Sequence, residues 1–463
     1  MPIPLVLLHG YSDKGESFQK WKAILVNSGK YSEDDIHICS YKSLTNEVTI
    51  KDIAEGFDRA LRMQTGLNTD EPFDAIVHST GMLVLRSWFA VYGKERHKKL
   101  KRIIAIAPAS FGSPLAHKGR SWLGSIFKGN RELGPDFMEA GDLVLDGLEL
   151  GSRFTWDLAH RDLLNEQVFY GPKSDTPYVF TFCGNTQYSG LRGAITNSAG
   201  TDGTVRWAGC TLNTRKITID FTKADNDEIN KRYTITDWSA DERTNLSMPF
   251  IPVAGLNHAS IIEDPSVELI EMVESALEVD SKESYLKWVE YATKKTATTL
   301  KNMDGVFQQF AVHAMDERGD PITDYNLQLY QTTVVENSAR SENDWGPLQI
   351  DVHSYSTDNS YRCFHINIED IMTAKLKGLR LEFMASSGTE LLGYLDYISD
   401  DALIPELDSQ PTFVVDLSPA LHDINFNFFY PFTTTLIEII LNREPLPIKN
   451  INKVAWFMKK EVK

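Results

Sequence analysis

Nowhere does the 463-residue sequence hold an apolar run close to the ~18 residues that a membrane-crossing helix needs, which excludes an architecture built on such helices. Basic residues are also missing ahead of the first apolar stretch, Ile3-Pro4-Leu5-Val6-Leu7-Leu8, and no small-residue cleavage site follows it. Export by a signal peptide is therefore not expected. A cytoplasmic location is expected, with delivery by a specialised secretion machine left open. Cysteine is scarce. Cys39, Cys183, Cys210 and Cys363 form no C-x-x-C pair, and no histidine cluster stands beside them at metal spacing. This usage excludes a disulfide scaffold and fits buried thiols in a reducing compartment, with no metal and no cofactor expected. Positive charge is in deficit, with 47 Lys+Arg against 64 Asp+Glu and a net charge of −17. A surface so acidic repels phosphate backbones, which excludes a nucleic-acid partner. The deficit is uneven: residues 301–463 hold 13 Lys+Arg and 24 Asp+Glu, a net −11. That third is not expected to dock electrostatically on anionic lipid.

With 42% hydrophobic and 24% charged residues, the chain has the composition of a globular protein, and its length exceeds what one core usually supports. The apolar run 3–8 ends in His9-Gly10, the pattern of a strand buried on both faces. Short strands follow at 36–41, 74–77 and 102–107. They alternate with helices at 49–61, where Ile50, Ile53, Phe57, Ala60 and Leu61 share one face, and at 81–92. This alternation predicts a parallel sheet packed with helices. The basic run Lys94–Arg102 reads as a solvated helix end. Residues 111–175 break the rhythm with an aromatic-rich helical insertion, either extra core or a cap over a pocket. Strand character returns at 177–183, with a hairpin-like pair at 216–221 and 232–237. Helices fit 264–279 and 283–295, the second polar enough to connect two domains. After Asp304-Gly305 the texture becomes short alternating runs bounded by turns, a β-sandwich signature. The domains read as 1–280 (with 111–175 a cap or lid insertion), a helical connector at 281–304, and a sandwich-like domain at 305–463.

Chemistry concentrates in Ala75-Ile76-Val77-His78-Ser79-Thr80-Gly81-Met82. A serine between a buried strand and a helix start is where a nucleophile elbow belongs, since the sharp turn lifts Oγ above the sheet. A small residue two positions later is needed where the backbone doubles back, and Gly81 supplies it. A plain helix N-cap serine is the other reading of this segment. Leu8-His9-Gly10-Tyr11 puts a turn at the end of the first strand, where a backbone N–H can face an oxyanion. Thr201-Asp202-Gly203-Thr204-Val205 offers a carboxylate in a tight turn, and Asn257-His258 a histidine in a loop ahead of a helix. Asp220 is an alternative carboxylate. His9 and His78 flank the serine and read as packing or orienting groups, while His117 and His160 read as surface or cap residues.

These four ordered segments resemble the serine lipases and esterases of the α/β-hydrolase superfamily, nearest to bacterial lipases and phospholipase-like proteins. The resemblance covers residues 1–280. It implies an α/β-hydrolase fold with a helical cap or lid, followed here by a C-terminal all-β sandwich-like domain. It also implies that Ser79 is the nucleophile, His258 the base and later the acid, and Asp202 the residue orienting its ring, with backbone N–H groups of Tyr11 and Thr80 forming the oxyanion hole. The chain departs from the family pattern at Val77, where glycine is usual, and at Met82. The implied activity is hydrolysis of lipid-like acyl esters through an acyl-enzyme. Thioester hydrolysis or acyl transfer on the same residues, and an inert binding protein of the same fold, are the alternatives.

The C-terminal region lies outside this resemblance. Asp316, Asp320 and Asp324 are candidate calcium ligands, although a hairpin turn explains them better. Binding of an unknown partner, or peripheral lipid contact through aromatics such as Trp345 and Phe426–Tyr430, are the roles this region suggests.

Overall fold

The computed structural model describes residues 3–458 apart from 12, 14, 69–70, 117–140, 168, 174, 191–196, 224–232, 238–247, 334–344, 374–375, 398–410, 423–427 and 446–453. His117, the Trp122 to Met138 part of the insertion, and Phe426 lie outside the described residues.

Strands β1 (Leu5–Leu8), β2 (Ile36–Cys39), β3 (Phe73–His78), β4 (Leu100–Ile106), β5 (Tyr178–Gly184) and β8 (Phe250–Val253) form one sheet in the order β2-β1-β3-β4-β5-β8, with every neighbouring pair parallel. All residues of β1, β3, β5 and β8 are buried, as continuous apolar runs require when both faces of a sheet are covered. Among the covering helices are α1 (Phe18–Asn27), α2 (Ile50–Met63) and α3 (Gly81–Tyr92). Helix α2 starts where Thr49 Oγ1 accepts the Asp52 N–H, and it buries Ile50, Ile53, Phe57 and Leu61 along one face. The helix Lys282–Leu300 does more than connect. Tyr285 donates to Val179 O at 3.1 Å, Thr296 donates to Phe250 O, and Trp288 is buried against Phe180 and Phe182, so this helix packs along β5 and β8.

The basic run before β4 is not simply solvated. Arg102 is buried, its fork clasping Asp74 at 2.9 and 2.7 Å and donating to Val279 O. Arg96 pairs with Asp58, which is itself buried and also accepts from Trp88.

The C-terminal region contributes two further sheets. The first is antiparallel, in the order β11 (Gly346–Pro347), β10 (Asp324–Thr332), β14 (Gly378–Ser386), β16 (Thr412–Asp416). The second is mixed and runs β12 (Ile350–Ser354), β13 (Tyr361–Asn367), β9 (Phe307–Asp316), β17 (Thr434–Glu444), β6 (Thr214–Asp220), β7 (Tyr233–Asp237), with β15 (Gly393–Leu395) also paired to β17. Strand β17 is parallel to both β9 and β6. The hairpin at 214–237, expected within the first 280 residues, thus adds its strands to the C-terminal sheet. Period-two alternation decides what each face of that sheet meets. Phe310, Val312, Ile437, Ile439, Ile217 and Ile219 pack with Leu327, Leu329, Leu381 and Phe383 of the antiparallel sheet. Ala311 and Leu436 join the core of the α/β half, and His313 stacks edge-on to Trp156 of the helix Arg153–Asp162.

Polar bonds tie the same seam. Glu149 accepts from His353 Nε2, Ser356 N and Ser356 Oγ, and Tyr355 and Thr357 donate to Asp146. Trp345 is half-buried beside Arg380, Tyr430 lies under Arg215, and Phe428 and Phe429 are core. Trp345, Phe428, Phe429 and Tyr430, four of the aromatics expected to meet lipid, are therefore engaged within the fold. The 316–320 turn is closed by Arg318 N and Asp320 N on Asp316 Oδ1, so backbone amides occupy that carboxylate oxygen.

Within α3, Arg86 is fully buried and pairs with Asp162 through Nε and Nη2, both at 2.8 Å, while Tyr170 donates to the same carboxylate. Asp162→Ala leaves the guanidinium buried without its counter-charge and is expected to lower unfolding free energy by about 3–5 kcal/mol, read as a shift in the urea midpoint.

Candidate active site

Ser79 occupies the turn between β3 and α3 with φ 52°, in the left-handed region that non-glycine residues rarely enter. Holding a serine there costs about 1–3 kcal/mol, which the surroundings must over-determine. They do so through main-chain bonds from Ser79 N to Ile106 O, from Met82 N to Ser79 O and from Ala109 N to Ser79 O. Two glycines allow the close approach. A Cβ on Gly81 would lie 2.6 Å from Leu8 O and 2.8 Å from His9 O, and one on Gly10 would lie 2.9 Å from Ser79 Cβ. Val77 is fully buried between β1 and β4, and the turn forms with that β-branched side chain in place.

Three of the residues singled out from the sequence come together at this turn. His258 Nε2 lies 3.1 Å from Ser79 Oγ, and His258 Nδ1 lies 2.8 Å from Asp202 Oδ2. The other carboxylate oxygen accepts from Thr204 N at 2.9 Å and Val205 N at 2.8 Å, and Asp202 O accepts the His258 N–H. Ser79 is 4% exposed and both His258 and Asp202 are 0% exposed. Tyr11 follows Gly10 against the serine, and Thr80 opens α3 immediately after it. Asp220 is elsewhere, at the end of β6, where its carboxylate accepts from Thr222 and pairs with Lys223. His160 sits on the helix Arg153–Asp162 with Nδ1–H donating to Trp156 O.

The flanking histidines orient the turn. His9 Nδ1–H donates to Gly10 O at 2.7 Å, its Nε2 accepts from Tyr41 N, and its ring stacks on Tyr41 at 4.1 Å. His78 Nε2–H donates to His258 O at 3.2 Å, and the two rings lie 4.8 Å apart. Burial, then the neighbouring His258, hold His78 well below the usual imidazole range, so it stays neutral. Cys183, next to the C-terminal end of β5, was not separable from an inert core thiol in the sequence. Its Sγ–H points at Asp202 Oδ2 at 3.5 Å, and burial pushes that thiol well up, keeping it protonated as a donor. Arg206 was also missed. It ends the acid loop and pairs with Asp351 of β12 at 2.6 Å.

No family model matches the sequence, and no curated protein matches it. Solved structures do. Phospholipase PlaB from Legionella pneumophila superposes with a TM-score of 0.74 at 23% identity, over 96% of this chain and 94% of that one. The same protein in complex with thio-NAD matches at 24% identity with the same TM-score, over 95% and 94%. This chain has the α/β-hydrolase fold with an additional C-terminal β-region. Among the described residues no helix is long and apolar enough to cross a membrane.

Two outcomes follow for this site. Gly81→Ala drives a methyl into backbone carbonyls and is expected to lose about 1–3 kcal/mol of stability together with placement of Ser79. Gly56→Ala, within α2 and with open space around its Cβ, is expected to gain about 0.5–1 kcal/mol, both measured by urea titration. The second outcome concerns pH. Burial lowers His9, His78 and His365, and takes His313 from 6.5 to about 4. Between the folded and unfolded values the unfolded chain binds more protons, so stability rises with pH and is lost as pH falls from about 6.5 toward about 4. His313→Gln is expected to flatten that dependence in midpoints taken across the window.

Proposed function

We propose that this protein is a serine hydrolase of carboxylic esters, with Ser79 as nucleophile, His258 as general base and then acid, and Asp202 as the group that orients the imidazole. The observation that carries this reading is the continuous hydrogen-bonded line Ser79 Oγ, His258, Asp202 at the strained turn. A serine hydroxyl is a weak nucleophile until a base removes its proton. Here His258 Nε2 takes it as Oγ attacks the acyl carbon, and the Nδ1–H of the resulting imidazolium donates a hydrogen bond to a carboxylate already held by two amides, which stays ionised. The tetrahedral oxygen is then stabilised by the N–H groups of Tyr11 and Thr80, donors of a kind whose single loss typically costs about 10²–10³ in kcat. Collapse releases the alcohol on a proton from His258 and leaves an acyl-Ser79, which water resolves by the same route.

The substrate class we assign is a lipid-like acyl ester, a phospholipid in particular. Its support is the near full-length likeness to a protein described as a phospholipase, extending through the C-terminal β-region as well as the α/β sheet.

The test is fluorophosphonate labelling with peptide mapping, paired with turnover of micellar phospholipid and of a short soluble ester. Wild type is expected to carry the adduct on Ser79, and Ser79→Ala and His258→Ala to lose both label and roughly 10⁴–10⁶ of kcat. An adduct elsewhere, or a Ser79→Ala variant that still turns over, overturns the nucleophile. Full activity on the short ester with none on long-chain or phospholipid substrates overturns the lipid assignment.

A further inference from the structure

Asp202 lies in the turn Gly200–Arg206, and one strand of the C-terminal region reaches that turn by two separate routes. The first is direct. Thr201 and Arg206 form an antiparallel bridge that closes the turn, and Trp207 N donates to Gly200 O at 2.9 Å. Arg206 extends its guanidinium to β12, where Nη2 donates to Asp351 Oδ2 at 2.6 Å. The residue is 3% exposed, its Nε meets no acceptor among the described residues, and Nη1 reaches the Cys363 sulfur at 3.7 Å. A buried cation therefore depends on one carboxylate, and that carboxylate's own side chain is 63% exposed. Without its partner such a charge is left buried and uncompensated, and the turn has to move to bring it to water.

The second route runs through the 111–175 insertion. Thr204, two residues after Asp202, accepts from Ser113 Oγ at 2.6 Å through its carbonyl. Ser113 forms a parallel bridge with Glu149. Glu149 is buried and accepts from His353 Nε2 of β12 at 3.2 Å and from Ser356 N at 2.8 Å. Asp351 and His353 stand two residues apart, so both leave β12 on the same face. β12 is itself fixed by β13, with Asp351 opposite His365 and His353 opposite Cys363. Between the two held points, Thr204 and Arg206, lies Val205, whose N–H joins that of Thr204 on Asp202 Oδ1. A displacement there passes straight to the carboxylate and to its 2.8 Å contact with His258 Nδ1.

We propose that Arg206 and Glu149 are positioning residues for Asp202, and that β12, through Asp351 and His353, is the common anchor that sets the alignment of Asp202 with His258. The inference rests on the proposed function for the reaction that uses this alignment, but one of its readouts needs no reaction. Full-length protein isotope-labelled at histidine is observed by NMR at the His258 Nδ1–H, and turnover of a short soluble ester is followed across pH on the same samples. Arg206→Met removes the buried cation and leaves Asp351 in water, so its urea midpoint is expected to match wild type. Its Nδ1–H resonance is expected to move upfield as the bond to Asp202 loosens. Its kcat is expected to fall by about 10-fold to 10²-fold with KM within about twofold. The acid limb of its pH–rate profile is expected to move to lower pH, because a misaligned carboxylate supports the imidazolium less. Asp351→Ala is expected to add a lowered midpoint to these changes, and Asp351→Glu to restore the resonance and the rate. Glu149→Gln is expected to move the resonance in the same direction by less. An unmoved resonance in Arg206→Met overturns the proposal whatever the rates do, as does one that moves only in step with a falling midpoint. An unmoved resonance in Glu149→Gln overturns β12 as the common anchor. A wild type that shows the resonance and its dependence on Arg206, yet turns over no ester, removes the hydrolase reading and leaves the positioning standing.

Discussion

One short loop, Gly200–Arg206, is held by both halves of the chain, and the line from Ser79 to Asp202 depends on it. Its first half is shaped from within: Gly200 and Gly203 both have positive φ, and Thr204 N and Val205 N close on the Asp202 carboxylate. Its outer contacts belong to the C-terminal sheet. Gly200 lies so close to Phe307 and His365 that an added Cβ would sit 2.7 Å from either ring, and Arg206 reaches Asp351. Gln309 and Thr434 hold the following turn through the contact of Gln309 with Gly209 and the bond from Thr434 to Ala208. A β-region that could have been a detachable appendage is thereby part of the scaffold that orients the carboxylate. Sheet faces explain why: the mixed sheet buries one face on its partner sheet and the other on the α/β half, so separating the halves would strip two layers at once.

The electrostatics at the elbow follow from the same burial. A serine-histidine pair works when the imidazole can become cationic transiently, and another cation at 4.8 Å would oppose that step in a low-dielectric pocket. His78 avoids this by remaining neutral, spending its N–H on the His258 carbonyl instead. His9 is likewise occupied by Gly10 and Tyr41. Cys183 adds a weak neutral donor to the carboxylate oxygen that faces the histidine, without adding charge. His78 and Cys183 thus help orient the three-residue line without adding a charge beside it.

What could be read from the sequence was what local rules govern. Strand-turn-helix patterning with Gly81 two residues after Ser79 located the turn, and runs such as Leu5–Leu8 located buried strands, because burial on both faces leaves an unbroken apolar signature. Asp202 was legible as a carboxylate in a tight turn, and His258 as a histidine in a loop ahead of a helix. Contacts that cross the chain were not. Nothing near Arg206 announces Asp351, 145 residues away, and nothing near Arg102 announces that its charge is buried on Asp74 and not solvated. The helix at 282–300 looked like a connector because its polar face dominates the count, yet Tyr285 and Trp288 alone suffice to bind it to β5 and β8. Strands β6 and β7 were legible as a hairpin, but their membership of the C-terminal sheet depends on the parallel pairing of β6 with β17, more than 200 residues away.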